Sequence, residues 1–97
     1  MIFAELEYSG TYESFHSQLR AFLEKHFQHL ESGLQGDSYF WILDGDKRVA
    51  IDTFTSMKHQ VKSSTGGPHV QKVLYALARE FKVKVFDQPQ LEGHESA

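Results

Sequence analysis

The stretch from residue 39 to residue 54 constrains the fold of this chain more than any other part. Two runs of strand-forming residues, 39–43 and 49–54, flank a polar turn of sequence DGDK. Aromatic and β-branched residues favour strands, and a short turn containing Asp and Gly joins antiparallel neighbours. A two-residue loop and a four-residue loop give the same pairing. The core-side pairs that this hairpin predicts are Ile42 with Val49 and Phe40 with Ile51.

Periodic patterns on both sides of the hairpin predict two helices and two further strands. Apolar and polar residues alternate over residues 2–8, which is typical of a strand. Apolar residues recur at helical spacing over about 12–30 and again from Pro68 to Phe81, and proline is well tolerated in a first helical turn. Residues 83–86 have the pattern of a last strand. Glycine-rich residues 32–37 predict a loop, whereas residues 56–64 fit a strand extension or a loop equally well.

The resulting element order, β-α-β-β-α-β, resembles that of the ferredoxin-like fold. It predicts an α+β domain with a four-stranded antiparallel sheet and two helices on one face. We expect residues 1–88 to form this single domain, and residues 89–97 to be a polar, mobile tail after a strand that ends at Pro89. The first and last strands are neighbours in this topology. The cross-strand charge pairs expected from it are Glu5 and Glu7 with Lys82 and Lys84.

Two helices on one face leave the other face of the sheet open. An apolar patch on the order of several hundred Å² is more than a small monomer usually exposes, so we expect this face to be an interface. The alternative is that residues 56–64 or the tail fold back over the sheet and turn the same side chains into core. The expected interface residues are Phe3, Tyr39, Trp41, Leu43, Phe54 and Phe86.

Charge and cysteine content exclude several classes of function. Lys and Arg number 10 and Asp and Glu number 13, a formal net charge of −3, whereas nucleic-acid and anionic-membrane binding both depend on basic surface. Aromatic side chains on a sheet also occur in RNA-binding domains, but the third strand lacks the glycine and aromatic spacing of that family. The chain has no cysteine, which excludes disulfides and thiol chemistry. We expect a cytoplasmic protein that needs no cofactor.

Two features could bind a small charged ligand. The turn that precedes the second helix contains Thr65, Gly66, Gly67 and His69, and a glycine-rich helix start can offer backbone N–H groups to an anion. It lacks the P-loop spacing and a lysine inside the turn, so a plain helix start is the simpler interpretation. His26 and His29, three residues apart, could ligate a metal, but two histidines without a carboxylate at helical spacing do not predict a metal site.

Catalytic signatures are weak. Asp52 with His59 or His69 could form an acid–base pair, yet nothing in the sequence brings them within hydrogen-bond distance. No nucleophile elbow and no HExxH motif is present. We therefore expect a small soluble interaction or regulatory module that forms a homodimer through its aromatic sheet face. One alternative is an acidic inhibitor-like or immunity-like protein that binds a foreign protein partner. Another is a small-ligand or anion-binding domain that uses the turn from Thr65 to His69.

Overall fold

The computed structural model of the chain describes residues 1–91, which form one α+β unit. Two helices pack on one face of a single antiparallel sheet. Within the described residues, neither helix is long and apolar enough to cross a membrane. The last six residues of the predicted tail, 92–97, lie outside the described part of the chain. The elements are β1 (Ile2–Glu7), α1 (Tyr12–His26), β2 (Leu30–Gln35), β3 (Asp37–Asp44), β4 (Lys47–Asp52), β5 (Gln60–Lys62), α2 (Pro68–Glu80) and β6 (Lys82–Gln90).

The sheet of residues 1–91 has six strands in the order β2-β3-β4-β5-β1-β6, so the predicted count of four is wrong. One additional strand, β2, occupies residues assigned to the end of the first helix and the following loop. The other, β5, falls within residues 56–64, where a strand extension or a loop was predicted. It is instead a separate strand, and it lies between β4 and β1. The four strands β2 to β5 thus form a continuous meander between the two helices.

Local chemistry sets the limits of both helices. The Thr11 hydroxyl accepts a hydrogen bond from the Ser14 backbone N–H and caps α1. The helix ends at His26 rather than near residue 30, because Phe27 turns to an extended conformation and the chain then enters β2. Gly67, with φ of 136°, precedes Pro68 at the start of α2, as the sequence predicts.

The predicted strand registers are confirmed. Phe40 lies opposite Ile51 and Ile42 opposite Val49 on the side facing the helices. On the other face Tyr39, Trp41 and Leu43 lie opposite Asp52, Ala50 and Arg48. Glu5 and Glu7 lie opposite Lys84 and Lys82 in the β1–β6 pair.

The hydrophobic core lies between this sheet and the two helices. Leu19 of α1 and Leu77 of α2 are completely buried against the sheet. The fully buried strand residues include Leu6 of β1, Phe40 of β3 and Ile51 of β4.

Two further predictions, on β1 and β6, are wrong. The register of β1 shifts between Ile2 and Ala4, and Phe3 is buried in the core cluster instead of lying on the open face. β6 is at the sheet edge, where Val85 is 53% exposed. Pro89 lies within β6 rather than ending it, as an edge strand permits, so residues 89 and 90 do not belong to a tail.

Candidate functional site

The open face carries a connected cluster of large side chains on β3 and just after β4. The Tyr39 ring centroid lies 5.0 Å from that of Trp41 and 6.1 Å from that of Phe54. The Arg48 guanidinium lies over the Trp41 ring at 4.6 Å, within the range of a cation–π contact. Four residues of this cluster and its border, Tyr39, Trp41, Leu43 and Phe54, are called the aromatic surface below.

The aromatic surface is partly accessible to solvent. Tyr39, Trp41 and Leu43 are half-buried, and Phe54 is 49% exposed. The Tyr39 ring covers the backbone of Gly33 on β2, where a Cβ atom would come within 2.4 Å of a ring carbon. Gly33 therefore lets the tyrosine ring lie flat across the neighbouring strand. The cluster reaches almost to the β2 edge of the sheet.

Two of the predicted interface residues do not join the aromatic surface. Phe3 is buried, and a Cβ atom placed at Gly66 would lie 3.5 Å from a carbon of its ring. Phe86 is half-buried on β6, at the opposite edge of the sheet from β2. Lys84 approaches its ring at 5.9 Å. The candidate interface is therefore concentrated at the β3–β4 side of the face.

A buried ion pair lies beside the aromatic surface, in the middle of the sheet. Lys62 Nζ lies 2.6 Å from Asp52 Oδ1, and both side chains are less than a tenth exposed. The same carboxylate oxygen accepts the Phe54 backbone N–H at 3.2 Å, and Lys62 also donates to Thr55 Oγ1 at 3.3 Å. Residues 54 and 55 thus fold back over the centre of the open face. Asp52 pairs with Lys62, whereas the hydrogen bonds of His59 and His69 are to other residues.

A second polar feature lies on the helix side of the sheet and was not anticipated. The hydroxyl of Ser38 lies 2.6 Å from Nδ1 of His16 and 2.7 Å from Nε2 of His59. On the far side of His59, its Nδ1 lies 2.8 Å from the hydroxyl of Tyr8. These four side chains are called the polar chain below. They link α1 and β3 to the residue that follows β1 and the residue that precedes β5. Ser38 and His59 are completely buried.

The hydrogen bonds of the polar chain are compatible with neutral histidines, as one assignment of donors shows. The Tyr8 hydroxyl oxygen already accepts the His59 backbone N–H at 3.3 Å, so its own hydrogen is free to be donated to His59 Nδ1. Nε2–H of His59 then donates to Ser38, whose hydroxyl donates to Nδ1 of His16. In this arrangement each of the three side-chain hydrogen bonds has one donor and one acceptor, and both histidines are neutral. The described residues contain no buried side-chain polar atom without a partner.

Burial strengthens this neutral state. Burial, helped by the nearby His16, lowers the pKa of His59 to about 4. Burial and the Arg20 charge likewise lower the pKa of His16, while burial raises the pKa of Tyr8. Ser38 and His59 are inaccessible to solvent, and the polar chain joins α1 to the sheet.

The start of α2, where the anion site is predicted, contains several hydrogen bonds within the chain. The backbone N–H groups of Val70 and Gln71 both donate to the Gly67 carbonyl at 3.1 Å, and Pro68 has no N–H. His69 is buried, with Nε2 3.0 Å from the Thr65 carbonyl oxygen and 3.2 Å from the Ser63 hydroxyl. These contacts occupy the His69 ring and two N–H groups of the first helical turn, and the anion site stays a prediction.

The histidines at the end of α1 line a cleft without forming a metal centre. His26 packs on Phe22, with ring centroids 4.3 Å apart. His26 and His29 border a cleft of about 220 Å³ whose far wall includes His69 and Lys72. Within residues 1–91, no group of three or more potential metal-ligating side chains converges.

Comparisons with known proteins supply no functional assignment, so the functional argument rests on the aromatic surface. None of the family models, curated proteins or solved structures compared with this chain matches it.

Proposed function

We propose that this protein is a small interaction module that forms a homodimer by packing the aromatic surfaces of two copies against each other. The observation that carries this proposal is the connected contact of Tyr39, Trp41 and Phe54 on the sheet face opposite α1 and α2. Side chains of this type supply most of the binding energy in protein interfaces. A chain without cysteine suits a reducing compartment, and we place the module in the cytoplasm.

The aromatic surface has the composition of an interface centre. Its tryptophan and tyrosine present large apolar area with few rotatable bonds, so little conformational entropy is lost on binding. Arg48 borders Trp41 on one side, and Glu31 lies opposite Trp41 on β2. A two-fold axis through the aromatic surface can bring the basic side of one copy to the acidic side of the other, which adds charge complementarity at the rim.

Substitution of Trp41 tests this proposal. Trp41→Glu places a charge at the centre of the aromatic surface but leaves the core face of β3 unchanged. Tyr75→Glu is the matched control, because Tyr75 is 70% exposed on α2, on the other side of the sheet. We expect light scattering at micromolar concentration to show a lower mass for Trp41→Glu than for the wild type, and an unchanged mass for Tyr75→Glu.

The same mass measurement decides between a second copy and a foreign partner. If Trp41→Glu keeps the wild-type mass, the aromatic surface is not the contact between copies. A wild-type protein that is monomeric at all concentrations would contradict self-association. It would favour the alternative of an acidic protein that uses this face to bind a foreign partner.

A further inference from the structure

The two edges of the sheet differ in how well they are protected against pairing with another strand. β6 has lysines at positions 82 and 84, a proline at 89 and a register shift against β1, all of which discourage strand addition. β2 has none of these features. Its pairing with β3 is regular from Leu30 to Gln35, and its sequence LESGLQ contains no proline and no lysine.

Hydrogen bonds within the sheet show which groups of β2 point outward. The Leu43 N–H donates to the His29 carbonyl, and the Thr53 N–H donates to the Ser38 carbonyl. In an antiparallel ladder these directions alternate along a strand. Odd-numbered residues of β2 therefore bond to β3. The residues whose N–H and C=O groups face away from β3 are Leu30, Ser32 and Leu34.

We propose that β2 pairs with the β2 strand of a second copy, antiparallel and with Ser32 on the two-fold axis. Pairing through outward groups requires even-numbered residues to face each other. With Ser32 opposite itself, Leu30 comes opposite the partner's Leu34. About six backbone hydrogen bonds form in this register.

Side chains favour this register over its neighbours. Leu34 is 42% exposed in the single chain, and the proposed pairing covers it with an apolar side chain on the helix side of the sheet. On the open face, Glu31 faces the partner's Gly33. A register moved toward the start of β2 would place Glu31 opposite its own copy, which like charges disfavour. A register moved the other way would leave Leu34 facing a serine.

The helices leave room for this pairing. α1 contacts both β2 and β3, so it lies above the midline between them. With strands about 4.8 Å apart, the two α1 axes come to lie roughly 10 Å from each other across the junction. Packed helices lie about 8–10 Å apart. The paired edges therefore unite two sheets without a collision between helices.

Edge pairing is independent of the face-to-face contact proposed above. The two-fold axis of the edge contact is perpendicular to the sheet, whereas a face-to-face axis lies parallel to it. Where the two perpendicular two-fold axes intersect, they generate a closed assembly of four chains, and where they do not, they generate an open one. The edge contact alone gives a pair of chains with one continuous sheet.

Substitutions on the two edges test the inference. Leu34→Lys adds an edge lysine, and Ser32→Pro removes one outward N–H without breaking the β2–β3 ladder. Val85→Lys, on the exposed part of β6, and Ser32→Ala are the matched controls. We expect light scattering to show about half the wild-type mass for Leu34→Lys and Ser32→Pro and the wild-type mass for both controls. Circular dichroism shows whether each variant is folded. If Ser32→Pro does not fold, the mass of Leu34→Lys alone tests the edge contact.

Each mass pattern separates the two contacts. Loss of mass in Leu34→Lys but not in Trp41→Glu supports the edge and contradicts the face. The reverse pattern overturns the edge proposal and leaves the face contact standing. If Val85→Lys lowers the mass as far as Leu34→Lys does, the assignment of the edge contact to β2 is overturned. A wild-type protein that is monomeric would overturn both contacts.

Discussion

The hydroxyl of Ser38 lies 2.7 Å from Nε2 of His59, in a position where neither side chain is exposed to solvent. This hydrogen bond joins the second strand after α1 to the residue just before β5. Through His16 on the other side of Ser38, it also joins both of these to α1. The polar chain thus connects three segments that are far apart in sequence.

Removal of the Ser38 hydroxyl is expected to destabilise the protein. Ser38→Ala leaves ring nitrogens of both His16 and His59 buried without their partner, and each such loss costs about 1–3 kcal/mol. We expect urea denaturation to show a decrease of roughly 2–4 kcal/mol in the free energy of unfolding. Ser17→Ala, at an exposed position of α1, is the control and should change it by less than about 0.5 kcal/mol. An equally small effect of Ser38→Ala would contradict the polar chain.

Stability is expected to fall with acidification because of His59. Its pKa is about 4 in the folded protein and near the ordinary 6.5 in the unfolded chain. Below pH 6.5 the unfolded chain takes up a proton that the folded protein does not, so the free energy of unfolding decreases until the pH reaches about 4. The full loss from this residue is on the order of 3 kcal/mol.

A glutamine substitution isolates this pH dependence. His59→Gln removes the buried titrating group, and His29→Gln makes the same replacement at an exposed histidine. Urea denaturation at pH 8 and pH 5 should show a smaller difference for His59→Gln than for the wild type. His29→Gln should retain the wild-type difference. An unaltered pH dependence in His59→Gln would show that His59 is not held neutral by burial.

The ion pair between Asp52 and Lys62 should be costly to break from one side only. Lys62→Met leaves a buried carboxylate without its cation, and the expected loss of stability is about 3–5 kcal/mol. Asp52→Asn combined with Lys62→Met removes both charges and retains an acceptor for the Phe54 N–H. We expect the double variant to be more stable than Lys62→Met alone, as measured by urea denaturation. A double variant that is less stable than Lys62→Met would refute this account of the pair.

Local sequence patterns predicted the hairpin, both helices and the β1–β6 pairing because each depends on short-range periodicity or charge. β2 was missed since LESGLQ has no alternation, and its strand conformation depends on pairing with β3. The burial of Phe3 depends on a register shift that no residue type announces. Ser38 is 22 residues from His16 and 21 residues from His59 in the sequence, so only the folded chain reveals their contact.

The most direct test of the aromatic surface uses the emission of Trp41, the only tryptophan in the chain. Its half-buried indole becomes fully buried if two copies pack face to face. The account predicts that its emission maximum shifts to shorter wavelength as protein concentration rises, over the same range in which light scattering shows the mass increasing. An emission maximum that stays constant while the mass increases would contradict association through this surface.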